Sequence, residues 1–144
     1  METMNRILIT VQSTVHVPTE KVWKLWTDPK HITSWYQASA DWHAPYAENN
    51  LMQGGRFKTT MAAKDGSFSF DFEGVYTRIE EQNIIEYTLD DGRKVKTVFV
   101  ANGNTTAITQ TFEAESSHSE EMQRSGWQAI LDNFKKYAEA QNTN

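Results

Sequence analysis

His43 stands two positions after Asp41, with Trp42 between them. An imidazole near a carboxylate is a candidate general base, because histidine titrates near neutrality. Arg78 and Glu86 form a second candidate acid–base pair, and Arg56 is a further cation; all lie in segments that read as strands. A buried charge needs a partner, so an Arg–carboxylate pair turned into a cavity marks a binding site. The sequence leaves open which of these side chains turns inward.

Other chemistry is excluded more firmly. His16 falls on the polar side of the first strand, and His31 and His118 fall at helix starts. None has His-x-x-x-His spacing, so no metal site is expected. The chain has no Cys, which removes disulfides, thiolate ligands and a thiol nucleophile and fits a reducing compartment. No Gly-x-Ser-x-Gly elbow occurs, and Ser125-Gly126 falls inside a helix. Gly54-Gly55 precedes a strand, not a helix, so it is no phosphate cradle. No catalytic residue and no cofactor are assigned.

The net charge of −5 and pI near 5.3 argue against a duplex nucleic-acid partner, which needs a basic face. Arg93, Lys94 and Lys96 are the one dense basic group. The opening residues lack the apolar core of a secretory signal, and no stretch is long enough for membrane insertion. The expectation is a cytoplasmic protein, and 144 residues make a single domain, 1–144.

Aromatic residues are 12% of the chain. Phe68, Phe70 and Phe72 alternate with Ser69, Asp71 and Glu73. Such stripes mostly pack in cores, but they also wall ligand pockets. Trp23, Trp26, Trp35, Trp42 and Trp127 are many indoles for this length. Trp26 reads as structural, and Trp35 and Trp42 flank an aromatic 36–52 segment that reads as a loop and a pocket mouth. Trp127 follows Gly126, which reads as the site of a close helix approach.

These residues need elements to hold them. Ile7, Ile9, Val11, Val15 and Val17 alternate in a strand from Arg6 to Val17. Pro18-Thr19 opens a helix carrying Val22, Trp23, Leu25 and Trp26, and Asp28-Pro29 opens a second with Ile32 and Trp35. Strands follow at Arg56–Met61, Phe68 onward, Ile84–Leu89, Lys94–Ala101 and Thr105–Ala114, divided by turn signals such as Asp91-Gly92. Apolar parity changes after Gly74, which predicts a bulge or a strong bend there. Ser117 and Glu120 have capping-box spacing, and Met122, Gly126, Ile130, Phe134 and Ala138 make a stripe with Leu131 and Tyr137 beside it. The pattern predicts an α+β domain: about six antiparallel strands curved around one long C-terminal helix over 117–140, with two short helices after the first strand.

The order β-αα-β(several)-α resembles the helix-grip fold of the START-like (SRPBCC) superfamily, in the branch similar to the C-terminal domain of the Hsp90 ATPase activator Aha1. The matching pieces are Val17-Pro18-Thr19-Glu20-Lys21-Val22-Trp23, Trp26-Thr27-Asp28-Pro29, Ile32-x-x-Trp35, Gly54-Gly55-Arg56-Phe57, Gly74-x-Tyr76 and Gly126-Trp127. The resemblance implies a curved sheet gripping the last helix with a cavity between them. The superfamily includes lipid carriers, polyketide cyclases and hormone receptors. Full-length Hsp90 activators also carry an N-terminal domain that this chain does not show.

The leading expectation is non-enzymatic binding of an apolar or aromatic small molecule. The alternatives are a cyclase, dehydratase or hydrolase using Asp41 with His43 or Arg78 with Glu86, and a protein-interaction module facing an Hsp90-like chaperone. The ligand is expected between the 36–50 segment and the closing helix, against Trp35, Trp42, Phe57, Phe70, Phe72, Tyr76, Ile130 and Phe134, and oriented by one or two of Arg56, Arg78, Glu86 and His43.

Overall fold

Alternation builds the first strand, β1 (Leu8–Val15): Ile9, Val11 and Val15 are buried, while Thr10, Gln12 and Thr14 face solvent. The structure, a computed structural model, describes residues 7–141. Arg6, where the sequence pattern begins this strand, lies outside the described residues, and Ile7 precedes the strand and is exposed. Pro18 leads into α1 (Thr19–Thr27), which buries Val22, Trp23 and Leu25. The Asp28 carboxylate then accepts the Lys30 amide at 2.9 Å and caps α2 (Pro29–Trp35).

The 36–52 segment is not all loop. Trp42–Asn49 forms a strand, β2, paired with the next strand. Pro45 hides it by breaking the alternation, and the pairing register shifts between His43 and Tyr46. A proline cannot donate to a ladder, so it is tolerated at an irregular edge strand, which β2 is. The strands β3 (Arg56–Ala63), β4 (Ser69–Glu80), β5 (Ile84–Leu89), β6 (Lys94–Asn102) and β7 (Thr105–Glu113) complete a sheet of seven, where about six were expected. All pairs are antiparallel, in the order β1-β7-β6-β5-β4-β3-β2. α1 and α2 therefore carry the chain from one edge of the curved sheet to the other.

Gly74 is not the bulge. It stays in register opposite both Phe57 and Leu89. A Cβ there would sit 2.4 Å from the Thr88 carbonyl oxygen, so the close approach of β5 requires glycine. The register shift comes further on, between Tyr76 and Arg78. It turns Arg78 outward although Arg78 shares the even parity of Phe72 and Tyr76.

The last helix, α3 (Glu120–Gln141), starts later than the capping-box spacing implied. The Ser119 hydroxyl accepts the Met122 amide at 3.1 Å, so Ser119 is the cap. The amides of Ser117 and His118 are already held by the Glu115 carboxylate in a preceding turn. The buried face runs through Gln123, Leu131, Phe134 and Ala138, and Met122 is exposed. Gln123 replaces it because its amide ties α3 to the backbone of Glu115 and His118 at 2.9–3.0 Å.

Phe134 is fully buried, with its ring centroid 4.9 Å from Trp26 and 4.7 Å from Trp35. Phe134→Ala is expected to cost about 3–5 kcal/mol in chemical denaturation; a loss under about 1 kcal/mol would refute its place in the core. The outer side of α3 is fastened by Glu139, whose carboxylate accepts the His16 amide and the His16 ring nitrogen, each at 2.9 Å, and Lys135 Nζ at 3.0 Å. Chiefly the His16 amide, with the ring and Lys135, lowers the Glu139 pKa from 4.5 to about 2. The folded carboxylate thus binds protons less readily than the unfolded one. Its stabilisation is complete above pH 4.5 and is lost as the pH falls toward 2. Urea midpoints measured across that window should fall less steeply for Glu139→Gln than for the parent protein.

Candidate functional site

Where α3 crosses the sheet, the rings do not close the space. A cavity of about 300 Å³ lies between them. Trp26 and Trp35 enter from α1 and α2, Met61, Phe70 and Phe72 from β3 and β4, and Gly126, Trp127, Ile130 and Leu131 from α3. A smaller recess of about 50 Å³ adjoins it and shares Trp26, Trp35, Tyr36, Phe72 and Gln110 as walls. Phe57, Tyr76 and Tyr87 line its inner side. Trp127 stacks on Phe112 at 3.9 Å and 10°, which holds its indole flat as a wall, and Phe72 meets Trp127 edge-on at 5.9 Å.

Polar groups in these walls are few. Gln110 is buried and donates to the Thr97 hydroxyl at 3.1 Å. The Tyr76 hydroxyl donates to Asn49 Oδ1 at 2.6 Å, and Asn49 in turn donates to the Thr27 carbonyl at 2.7 Å. Burial pushes the phenols of Tyr36, Tyr76 and Tyr87 above their ordinary range, so each stays a neutral O–H at physiological pH. Arg93 stands at the outer end, its side chain only 16% exposed.

Residues 16–139 match the family described as Activator of Hsp90 ATPase homolog 1-like protein. The chain belongs to that family. It is similar to an AHSA1-like protein from Aeromonas hydrophila, with 44% identity, 94% of each chain covered and a TM-score of 0.88. It is also similar to a protein from Cytophaga hutchinsonii at 51% identity, 98% of each chain and a TM-score of 0.77. A protein from Nitrosomonas europaea shares only 16% identity over 99% of this chain and 100% of its own, with a TM-score of 0.82, and so shares the fold alone. No match among curated proteins was found.

In this Aha1-like domain the sequence candidates fall into two groups. Trp35 and Phe72 line both spaces, Phe70 and Ile130 the larger one, and Phe57 and Tyr76 the recess. Phe134 lies behind Trp26 and Trp35. Phe134 and the remaining candidates line neither space. Trp42 packs at 6.1 Å against both Phe68 and Phe70 in a part-exposed aromatic cluster. His43 sits on edge strand β2, and Asp41 is exposed. Arg56 pairs with Asp90 at 3.1 Å on the outer face, and Arg78 pairs with Glu80 and, at 3.2 Å, with Glu86. Glu86 points out because it alternates with buried Ile85 and Tyr87.

Sequence reasoning missed Tyr36, Tyr87, Arg93, Gln110, Glu115 and Gln123, and gave Trp127 only a packing role. Gln110 carried a signal: it stands in the buried register of β7 with Thr106, Ile108 and Phe112. Among the described residues no group of three or more His, Asp or Glu could hold a metal ion, and no helix is long and apolar enough to cross a membrane.

Gly126 is also corrected. A Cβ there would meet nothing within 4 Å, so this glycine makes room in the cavity and allows no close helix contact. Gly126→Ala should therefore stabilise the fold by about 0.8–1.0 kcal/mol through helix propensity. A destabilised variant in thermal or urea denaturation would show that the space at Gly126 is already filled.

Proposed function

We propose that this protein binds an apolar or aromatic small molecule, without turnover, in the cavity between the sheet and α3. The observation that carries this reading is the cavity itself, about 300 Å³ in volume and walled by Trp26, Trp35, Phe70, Phe72 and Trp127. Ligand sites are typically of this kind: concave, mainly apolar, with a few placed polar groups. The family match supports it, because the fold commonly serves ligand binding as well as Hsp90 activation. The positions of Arg78 and Glu86 on the outer face, and of Asp41 and His43 away from the cavity, favour binding over acid–base catalysis.

The test is titration with N-phenylnaphthylamine, a neutral apolar fluorophore, followed by probe and tryptophan emission. Saturable binding is expected. Trp127→Ala and Phe72→Ala should each weaken it by about tenfold, the equivalent of about 1.4 kcal/mol, while Arg56→Ala leaves it unchanged. Absence of saturable binding, or binding that survives loss of both rings, would overturn the reading.

A further inference from the structure

The polar end of the cavity has a sign. Arg93 follows the turn between β5 and β6 and borders both the cavity and a shallow surface groove beside Phe70, Phe72 and Leu89. Its Nε donates to Asp91 Oδ2 at 2.8 Å. Asp91 is on the solvent side, 54% exposed, against 16% for Arg93. The terminal nitrogens of the guanidinium have no hydrogen-bond partner among the described residues. The guanidinium, half-buried at the solvent-reaching end of the cavity and with one donor satisfied, leaves a fork shaped for a planar, two-oxygen anion.

The neighbouring carboxylate does not compete for that fork. Glu115 also borders the cavity, but its oxygens accept the Ser117 and His118 amides and the His118 ring nitrogen. Those bonds lower its pKa, the His118 side chain contributing most. Glu115 is therefore occupied in shaping the turn before α3. Deeper in, Gln110 uses one amide hydrogen on Thr97 and has no other hydrogen bond to a described residue, and the recess beyond is bordered by Glu48, a carboxylate that accepts the Tyr46 hydroxyl, so Arg93 is the cation of the lining.

We infer that the ligand is an amphipathic carboxylate, its apolar or aromatic body lying between Phe72 and Trp127 and its carboxylate held by the Arg93 fork. This rests on the proposed binding role of the cavity and specifies the ligand class. A cation is disfavoured by Arg93. A neutral apolar molecule would leave the fork to water and gain nothing from it.

A matched probe series tests it: naphthylacetic acid, naphthylacetamide, naphthylethylamine and naphthyl phosphate, titrated by calorimetry at neutral pH, with N-phenylnaphthylamine as the cavity control. The acid should bind at least about tenfold more tightly than the amide, the scale of one charge-assisted hydrogen bond, and the amine least tightly. Arg93→Gln should bring the acid-to-amide ratio to about one while leaving amide and control binding intact, which also shows that the variant folds. Arg93→Lys should restore part of the ratio. Equal binding of acid and amide overturns the inference, as does an acid preference that survives Arg93→Gln or tighter binding of the phosphate. In those cases intact control binding leaves the cavity's role standing; loss of control binding in the parent protein overturns both.

Discussion

Trp35 is the point on which the helical layer and the cavity both depend. Its indole N–H donates to the Leu25 carbonyl at 3.0 Å, which locks the end of α2 to α1. Its own carbonyl accepts from Asn133 at 2.8 Å, which locks α2 to α3. Its ring, 1% exposed, meets Trp26 at 5.0 Å and Phe134 at 4.7 Å on one side and walls both spaces on another. A buried indole must satisfy its N–H, and here the partner is the carbonyl of another helix. The distance between the helices is therefore set by hydrogen bonds, not by collapse onto the sheet. That is how a void can persist beside a packed core.

The sheet contributes the opposite constraint, a strict sorting of side chains by parity. Phe72 and Tyr76 face α3, and the register shift after Tyr76 interrupts the series so that Arg78 faces solvent with Glu80 and Glu86. One inserted step in one strand thus keeps a charged cluster off the concave side. Gly74 lets β5 come close just before that shift. The concave face is left mainly with aromatic rings and neutral polar groups, with Arg93 and Glu115 at the rim of the cavity and Glu48 beside the recess.

The architecture was legible because its signals are periodic. Ile9, Val11 and Val15 in β1, and Leu131, Phe134 and Ala138 in α3, follow the strand and helix periods without interruption. β2 was hidden because Pro45 and an irregular register remove the alternation that announces a strand. The apolar part of the site was legible for the same reason as the core: its rings lie on the inward parity. Its polar part was not. Arg78, Glu86 and Arg56 looked like pocket groups because they sit on strands, but a bulge and simple alternation turn them out. Arg93 lies just after a turn and before β6, where no period tells which way a side chain points. Gln110 alone followed a rule that sequence could have applied, a polar residue in the buried register of an apolar strand.

The size of the space beneath α3 is itself informative. A closed, dry void of 300 Å³ would cost roughly 7 kcal/mol at about 24 cal/mol per Å³. Stability for a domain is about 5–15 kcal/mol in all. That figure is an upper bound, because Phe70 at the rim is 42% exposed and the cavity reaches the surface beside it. Filling the space would still be simple in evolutionary terms: a side chain at Gly126 would meet no obstacle within 4 Å and would improve the helix. The chain instead keeps a glycine inside α3, unfavourable for the helix alone, and leaves the Arg93 fork open at the rim. An occupant of the proposed kind would use both, since any ligand bound only by the folded state adds its binding energy to stability.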